Sequence, residues 1–135
     1  MARVPAPPII FNETVPLGNE RRTFISSRMF TPIFVPQVSV AFADNTNRTL
    51  RVSFWYTYSR IIADNVEPTG INLGQAYGGS AFLVGDGLEG RLNLNINAEL
   101  PQGGYFAVSA LNTDGFDHTL DSRIDIERII VPELV

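Results

Sequence analysis

The amino-acid sequence predicts an all-β protein, a single β-sandwich of about eight antiparallel strands with jelly-roll or Greek-key topology. Three observations support this prediction. Apolar residues recur at every second position, turn-forming residues interrupt the chain about every 8–12 residues, and no segment has the period of a helix. Strands with one apolar face need a second sheet to cover it. One long mid-chain connection favours a jelly roll over the alternative, an immunoglobulin fold.

The chain begins with a Pro-rich segment, residues 1–8, which we expect to form an extended arm before a sandwich domain over residues 9–135. Pro5, Pro7 and Pro8 remove backbone N–H donors and favour a polyproline-like conformation without internal hydrogen bonds. Such a segment either stays mobile or lies on a neighbouring surface.

The next part of the chain contains two short candidate strands and one clear hairpin. The candidate strands cover residues 9–14 and 21–28. The hairpin joins two alternating runs, 38–42 and 50–58, through a polar turn at 44–47. β-branched and aromatic residues on both sides of a polar turn are typical of a hairpin.

A long irregular connection follows over residues 59–79, interrupted by Asp64-Asn65, Pro68, Gly70, Gly74 and Gly78-Gly79. Connections of this length in a compact domain are usually functional or mobile. Alternation then resumes and predicts strands at 80–84, 91–99, 105–111 and 118–131. The inward positions of all strands predict a core that contains Phe24, Val40, Phe42, Val52, Phe54, Tyr56, Tyr58, Leu92, Leu94, Ile96, Phe106, Val108, Ile124 and Ile126.

The composition excludes several classes of function. The 135 residues include no Cys and no Lys, and the formal net charge is −4. Disulfides, thiolate catalysis, Cys-based metal sites and Schiff-base chemistry are therefore impossible. The acidic balance argues against nucleic-acid binding. No apolar run reaches the roughly 18 residues of a membrane helix, and the N-terminus lacks a secretory signal, so we expect no membrane association.

All ten basic residues are Arg. Arginine suits planar, bidentate pairing at protein interfaces. The alternative explanation is codon bias in a GC-rich genome.

The single histidine, His118, lies in the densest acidic part of the sequence. Its neighbours could hold Ca²⁺ through carboxylate oxygens. The alternative is a polar turn followed by a strand with a solvated acidic face. No nucleophile elbow is present. We therefore expect no catalytic residue, no metal site and no cofactor. The acidic neighbours are Asp114, Asp117, Asp121, Asp125 and Glu127.

Trp55 is the residue most suggestive of a binding role. Alternation puts its side chain on the outer face with Arg51, opposite the core. Three interpretations are open: burial under the 59–79 connection, a protein-interface hot spot, or a platform for stacking sugars. Tyr77 in the long connection is a further candidate aromatic.

The overall pattern resembles the small decoration or cement proteins of tailed-phage capsids. Its features are a Pro-rich arm, an eight-strand sandwich, no Cys and no signal. The stretch 100–108 (LPQGGYFAV), followed by residues 112–114 and a strand to Ile130, also recurs in bacterial and phage sandwich domains. The resemblance implies a non-enzymatic structural virion protein, made in the host cytoplasm, with two kinds of partner. These are its own copies, in a homo-oligomer with a trimer favoured, and a larger protein assembly such as a major capsid protein. The alternative function is that of a carbohydrate-binding module.

The arm is the first candidate for these contacts. Apolar residues follow its prolines directly, and an extended segment has no second face of its own against which to bury them. We therefore predict an interface formed by Val4, Pro5, Pro7, Pro8, Ile9, Ile10 and Phe11, with Arg51, Trp55 and Tyr77 as a second contact.

Overall fold

A computed structural model of the protein describes residues 2–60 and 62–130. These residues form eight strands and one π-helical turn at Gly74–Gly78. The prediction of an all-β protein is confirmed. The strands are β1 (Ala2–Val15), β2 (Glu20–Arg28), β3 (Ile33–Phe42), β4 (Leu50–Thr57), β5 (Ile71–Asn72), β6 (Arg91–Leu100), β7 (Tyr105–Asn112) and β8 (His118–Ile130).

The strands form two antiparallel four-stranded sheets that pack face to face. The first sheet has the order β1-β8-β3-β6 and the second β2-β7-β4-β5. The first four strands pair with the last four in reverse order, as β1–β8, β2–β7, β3–β6 and β4–β5. The chain is thus one long hairpin folded over on itself, which is the topology of a jelly roll.

The core lies between the sheets and follows the two-residue period of the strands. Most of the predicted core residues are buried. Four of them are only partly buried and pack against the core: Phe24, Leu92, Leu94 and Ile126.

Tyr58 is a correction to the predicted core. Its side chain is 60% exposed, because β4 ends at Thr57 and the second sheet does not continue past it. The Tyr58 ring instead packs edge-on against Tyr56, with 5.7 Å between the ring centroids.

The predicted strand at 80–84 is also a correction. It is reduced to a single bridge between Leu83 and Val52 of β4, with N···O distances of 2.8 and 2.9 Å. The fourth strand of the second sheet is instead β5, which pairs with Trp55 and Tyr56. This strand lies inside the connection predicted to be irregular.

The Pro-rich segment forms the first half of β1. Residues 2–6 pair with 126–130 of β8, and the register shifts at Pro7 and Pro8 before pairing continues from Ile9. The extended segment has no second face of its own for Ile9 and Phe11, but other parts of the chain provide one. Both are partly buried and pack against the core, because pairing with β8 directs them at the second sheet.

Candidate functional site

The long connection between β4 and β5 crosses the outer face of the second sheet. At the β2 edge, the backbone N–H of Asn65 donates to the carbonyl oxygen of Arg21 at 3.0 Å. The backbone N–H of Arg21 donates in return to the Asn65 side chain at 2.7 Å. Ile71 then pairs in β5, at the opposite edge of the sheet. Residues 66–70 therefore pass over β7 and β4.

Trp55 is buried on the outer face of β4, with only 8% of its surface exposed. Its backbone pairs with Ala107 on one side and with Asn72 of β5 on the other. Of the three interpretations, this burial agrees with the one that places Trp55 beneath the long connection, whose residue Asn72 pairs with it. A ring this little exposed offers little surface to a partner protein or to a sugar.

A cleft remains open on the same outer face, beside the crossing. It has a volume of about 240 Å³. Its floor is formed by outward residues of β2, β7 and β4, and its walls by the connection and the segment before β6. The lining includes Arg21, Arg51, Glu67, Gln75, Phe82 and Leu111.

Two arginines define the electrostatics of this cleft. Arg21 on β2 and Arg51 on β4 pair with Leu111 of β7 from opposite sides, so both point outward at the same level of the sheet. Neither guanidinium forms an ion pair with a carboxylate of the described residues. Arg21 Nη1 donates to Ser109 Oγ at 2.8 Å, and the Arg51 guanidinium lies 5.4 Å from the centre of the Phe82 ring.

The other predicted contact residues do not converge on this cleft. Tyr77 lies in the π-helical turn and is 46% exposed. Within β1, Ile9 and Phe11 point into the sandwich, as described above. The other predicted contact residues of β1, Val4, Pro5, Pro7, Pro8 and Ile10, are exposed.

An exposed apolar surface lies at the end of the sandwich where β1 begins. Phe30, in the turn after β2, lines a cavity of about 340 Å³ together with Arg128. Val4 pairs with Arg128, and Ile130 lies two residues further along the same face of β8. Val4, Phe30 and Ile130 are 42%, 78% and 49% exposed. We call these three residues the end patch. The sequence prediction named only Val4; an apolar Phe inside a turn was the available signal for Phe30.

The single histidine forms a hydrogen bond with an acidic residue of the turn that precedes β8. His118 is buried, and its Nε2 lies 2.8 Å from Asp114 Oδ2. Hydrogen bonds from His118 and from the backbone N–H of Gly115 hold the pKa of Asp114 below its usual value.

Three further acids of the suspected cluster have separate partners. Asp121 pairs with Arg91 at 3.3 Å, Asp125 accepts from Gln37 at 2.8 Å, and Glu127 pairs with Arg3 at 3.7 Å. Over residues 2–60 and 62–130, no three His, Cys, Asp or Glu side chains come together in a group that could hold a metal ion.

No protein family matches this sequence, and no curated protein is significantly similar to it. In the part of the chain that the structure describes, no helix is long and apolar enough to cross a membrane.

Proposed function

We propose that this chain is a non-enzymatic structural virion protein. It acts as a capsid decoration or cement protein, which stabilises a shell by binding the major capsid protein as a homo-oligomer. The observation that supports the proposal best is the end patch. Exposed apolar side chains grouped on one surface are typical of protein contacts. The jelly-roll topology is compatible with this role, since it occurs in capsid proteins, but a fold alone does not determine function.

The prolines of β1 favour a contact through side chains over the addition of a further strand. Pro5, Pro7 and Pro8 lie in an edge strand, where the missing N–H groups prevent continuous pairing with another strand. A partner therefore approaches the end patch, where Val4, Phe30 and Ile130 can be covered.

Arginines border the end patch. Arg28 and Arg128 line the cavity next to Phe30, and neither forms an ion pair with the described residues. A second copy of this acidic chain offers carboxylates to pair with them. A homo-oligomer can thus both cover the apolar side chains of the end patch and pair the arginines at its border. The resemblance to decoration proteins favours a trimer.

The test is light scattering on the full chain and on the double variant Val4→Asp/Phe30→Asp. Deleting residues 1–11 is unsuitable, because Ile9 and Phe11 pack against the core. We expect the wild type to be a trimer and the double variant a folded monomer by circular dichroism. Leu88→Asp is the matched control, since Leu88 is 81% exposed on the turn before β6, outside the end patch. A monomeric wild type, or a double variant that remains oligomeric, would contradict the proposed oligomer.

The virion assignment has a separate test. Purified protein is added to capsids of the virus that encodes it, prepared without this protein, and the capsids are heated. We expect saturable binding and a higher disruption temperature, both lost in the double variant. Wild-type protein that does not bind, or that binds without stabilising the shell, overturns the cement role.

A further inference from the structure

We propose that the cleft on the outer face of the second sheet binds a sugar acid, a single saccharide ring that carries a carboxylate. This site is distinct from the end patch, and the inference does not depend on the proposed oligomer. It goes beyond the sequence-based hypothesis of sugar stacking, which assigned that role to the buried Trp55.

The two arginines provide the carboxylate site. Arg21 and Arg51 lie on either side of Leu111, one strand away from it in each direction, so their backbones are about 10 Å apart. Arginine side chains are long enough to span this distance, so both can reach one anion held over Leu111. An arginine carries five N–H donors, and the only side-chain acceptor of Arg21 among the described residues is Ser109. Most donors of this pair are therefore free for a ligand.

The cleft walls suit a hydroxylated ring. Phe82 is 44% exposed and offers an apolar face against which the C–H groups of a sugar can pack. The Glu67 carboxylate and the Gln75 amide also line the cleft, and neither side chain has a hydrogen-bond partner among the described residues. These groups can accept and donate hydrogen bonds to ring hydroxyls. A volume of about 240 Å³ is below the roughly 300–1,000 Å³ of sites for drug-sized ligands, so one ring fits.

Hydrogen bonds within the protein fix polar residues of the cleft when no ligand is bound. Asn72 donates through Nδ2 to the carbonyl oxygen of Ala81 at 2.9 Å, and its Oδ1 accepts from the backbone N–H of Gln75 at 3.0 Å. Ser109, which anchors Arg21, is fully buried. Such preorganisation lowers the entropic cost of binding.

The charges select a sugar acid over other small ligands. A neutral sugar leaves both guanidinium groups without an anion. A simple carboxylate such as acetate satisfies the arginines but makes no use of Phe82, Glu67 or Gln75. A sugar acid balances the arginines with its carboxylate and presents hydroxyl donors to Glu67.

The experiment is titration of the full chain with glucuronate, glucose and acetate, followed by amide chemical shifts in NMR. We expect glucuronate to bind with a Kd of about 1 mM, as fits a ligand of its size, and to shift amides of the cleft. Glucose and acetate should bind at least about 10-fold more weakly. If acetate bound with the same Kd as glucuronate, the cleft would be a general anion site. If glucose bound with the same Kd, the arginines would have no role in binding. Either result, or the absence of saturable glucuronate binding, overturns the inference.

Variants test the assignment of residues. Arg51→Gln should weaken glucuronate binding about 10-fold or more, because it removes a charged hydrogen-bonding partner at an exposed position. Arg123→Gln is the matched control, as Arg123 is exposed on the first sheet. Equal loss in both variants would mean that only net charge matters and would contradict the site. The double variant Val4→Asp/Phe30→Asp should bind glucuronate normally, which separates this inference from the proposed oligomer.

Discussion

The indole N–H of Trp55 donates a hydrogen bond to the hydroxyl oxygen of Ser53, two residues earlier on the same face of β4, at 2.8 Å. Ser53 donates in turn to the backbone carbonyl of Ser109 on β7, at 3.2 Å. Both residues are buried, with 8% of Trp55 and 6% of Ser53 exposed. The outer face of this sheet is therefore buried around Ser53 and Trp55, and polar side chains there need hydrogen-bond partners from the same sheet.

Removing the acceptor of the Trp55 N–H should destabilise the fold. Ser53→Ala leaves the indole N–H buried without its partner, and we expect the free energy of unfolding to fall by about 1–3 kcal/mol in urea denaturation. Ser27→Ala is the control, because Ser27 is exposed, and it should change stability by less than about 0.5 kcal/mol. If both variants match the wild type, the Trp55 bond does not contribute to stability.

Gly104 is required where the chain enters β7. A Cβ at this position would lie 2.5 Å from two ring carbons of Tyr56. Tyr56 cannot move away, since its hydroxyl donates to the Pro101 carbonyl and accepts from the Gly104 N–H at 3.0 Å. We expect Gly104→Ala to cost about 1–3 kcal/mol of stability in urea denaturation.

Gly115 provides the matched control for this substitution. A Cβ there meets no atom within 4 Å, so Gly115→Ala should be close to neutral. Similar losses in the two variants would show that contact with Tyr56 does not explain the effect of Gly104→Ala.

Phe54 and Tyr58 belong to the same run of aromatic residues but should respond differently to truncation. Phe54 is 2% exposed, so Phe54→Ala should cost about 3–5 kcal/mol. Tyr58→Ala should cost only about 0.5–1.5 kcal/mol, the contribution of its edge contact with Tyr56. Guanidinium denaturation of both variants measures the contrast, and equal losses would place Tyr58 in the core after all.

This pair also illustrates how much of the fold the sequence could predict. Alternation correctly assigned Phe54 to the core and Trp55 to the outer face, because the two-residue period is a local property of a strand. The period does not say where a strand ends, and Tyr58 was misplaced for that reason. The pairing of residues 2–6 with β8 joins segments more than a hundred positions apart, so local composition predicted an arm instead.

The candidate site was predicted only in fragments for the same reason. Arg51 was identified as an outward residue, but its partner Arg21 lies thirty positions earlier, on a strand that alternation did not relate to it. Their common neighbour Leu111 becomes evident only from the sheet order. The contact between Asn65 and Arg21, which holds the long connection against β2, is likewise indicated by no local pattern.

The bond between Asp114 and His118 should make stability depend on pH in the acid range. It holds the pKa of Asp114 below the ordinary 3.8, so the unfolded chain binds the proton more readily than the folded one. The contribution of this bond to the free energy of unfolding is fully present above pH 3.8. It is lost as the pH falls through the lower pKa that Asp114 has in the folded state. Asp114→Asn should therefore lower the Tm at neutral pH, and the difference from wild type should shrink as the pH falls below 3.8. Asp44→Asn, at an exposed turn, is the control and should have little effect. A Tm difference for Asp114→Asn that stays constant down to the acid limit would mean that the carboxylate's charge does not stabilise this turn.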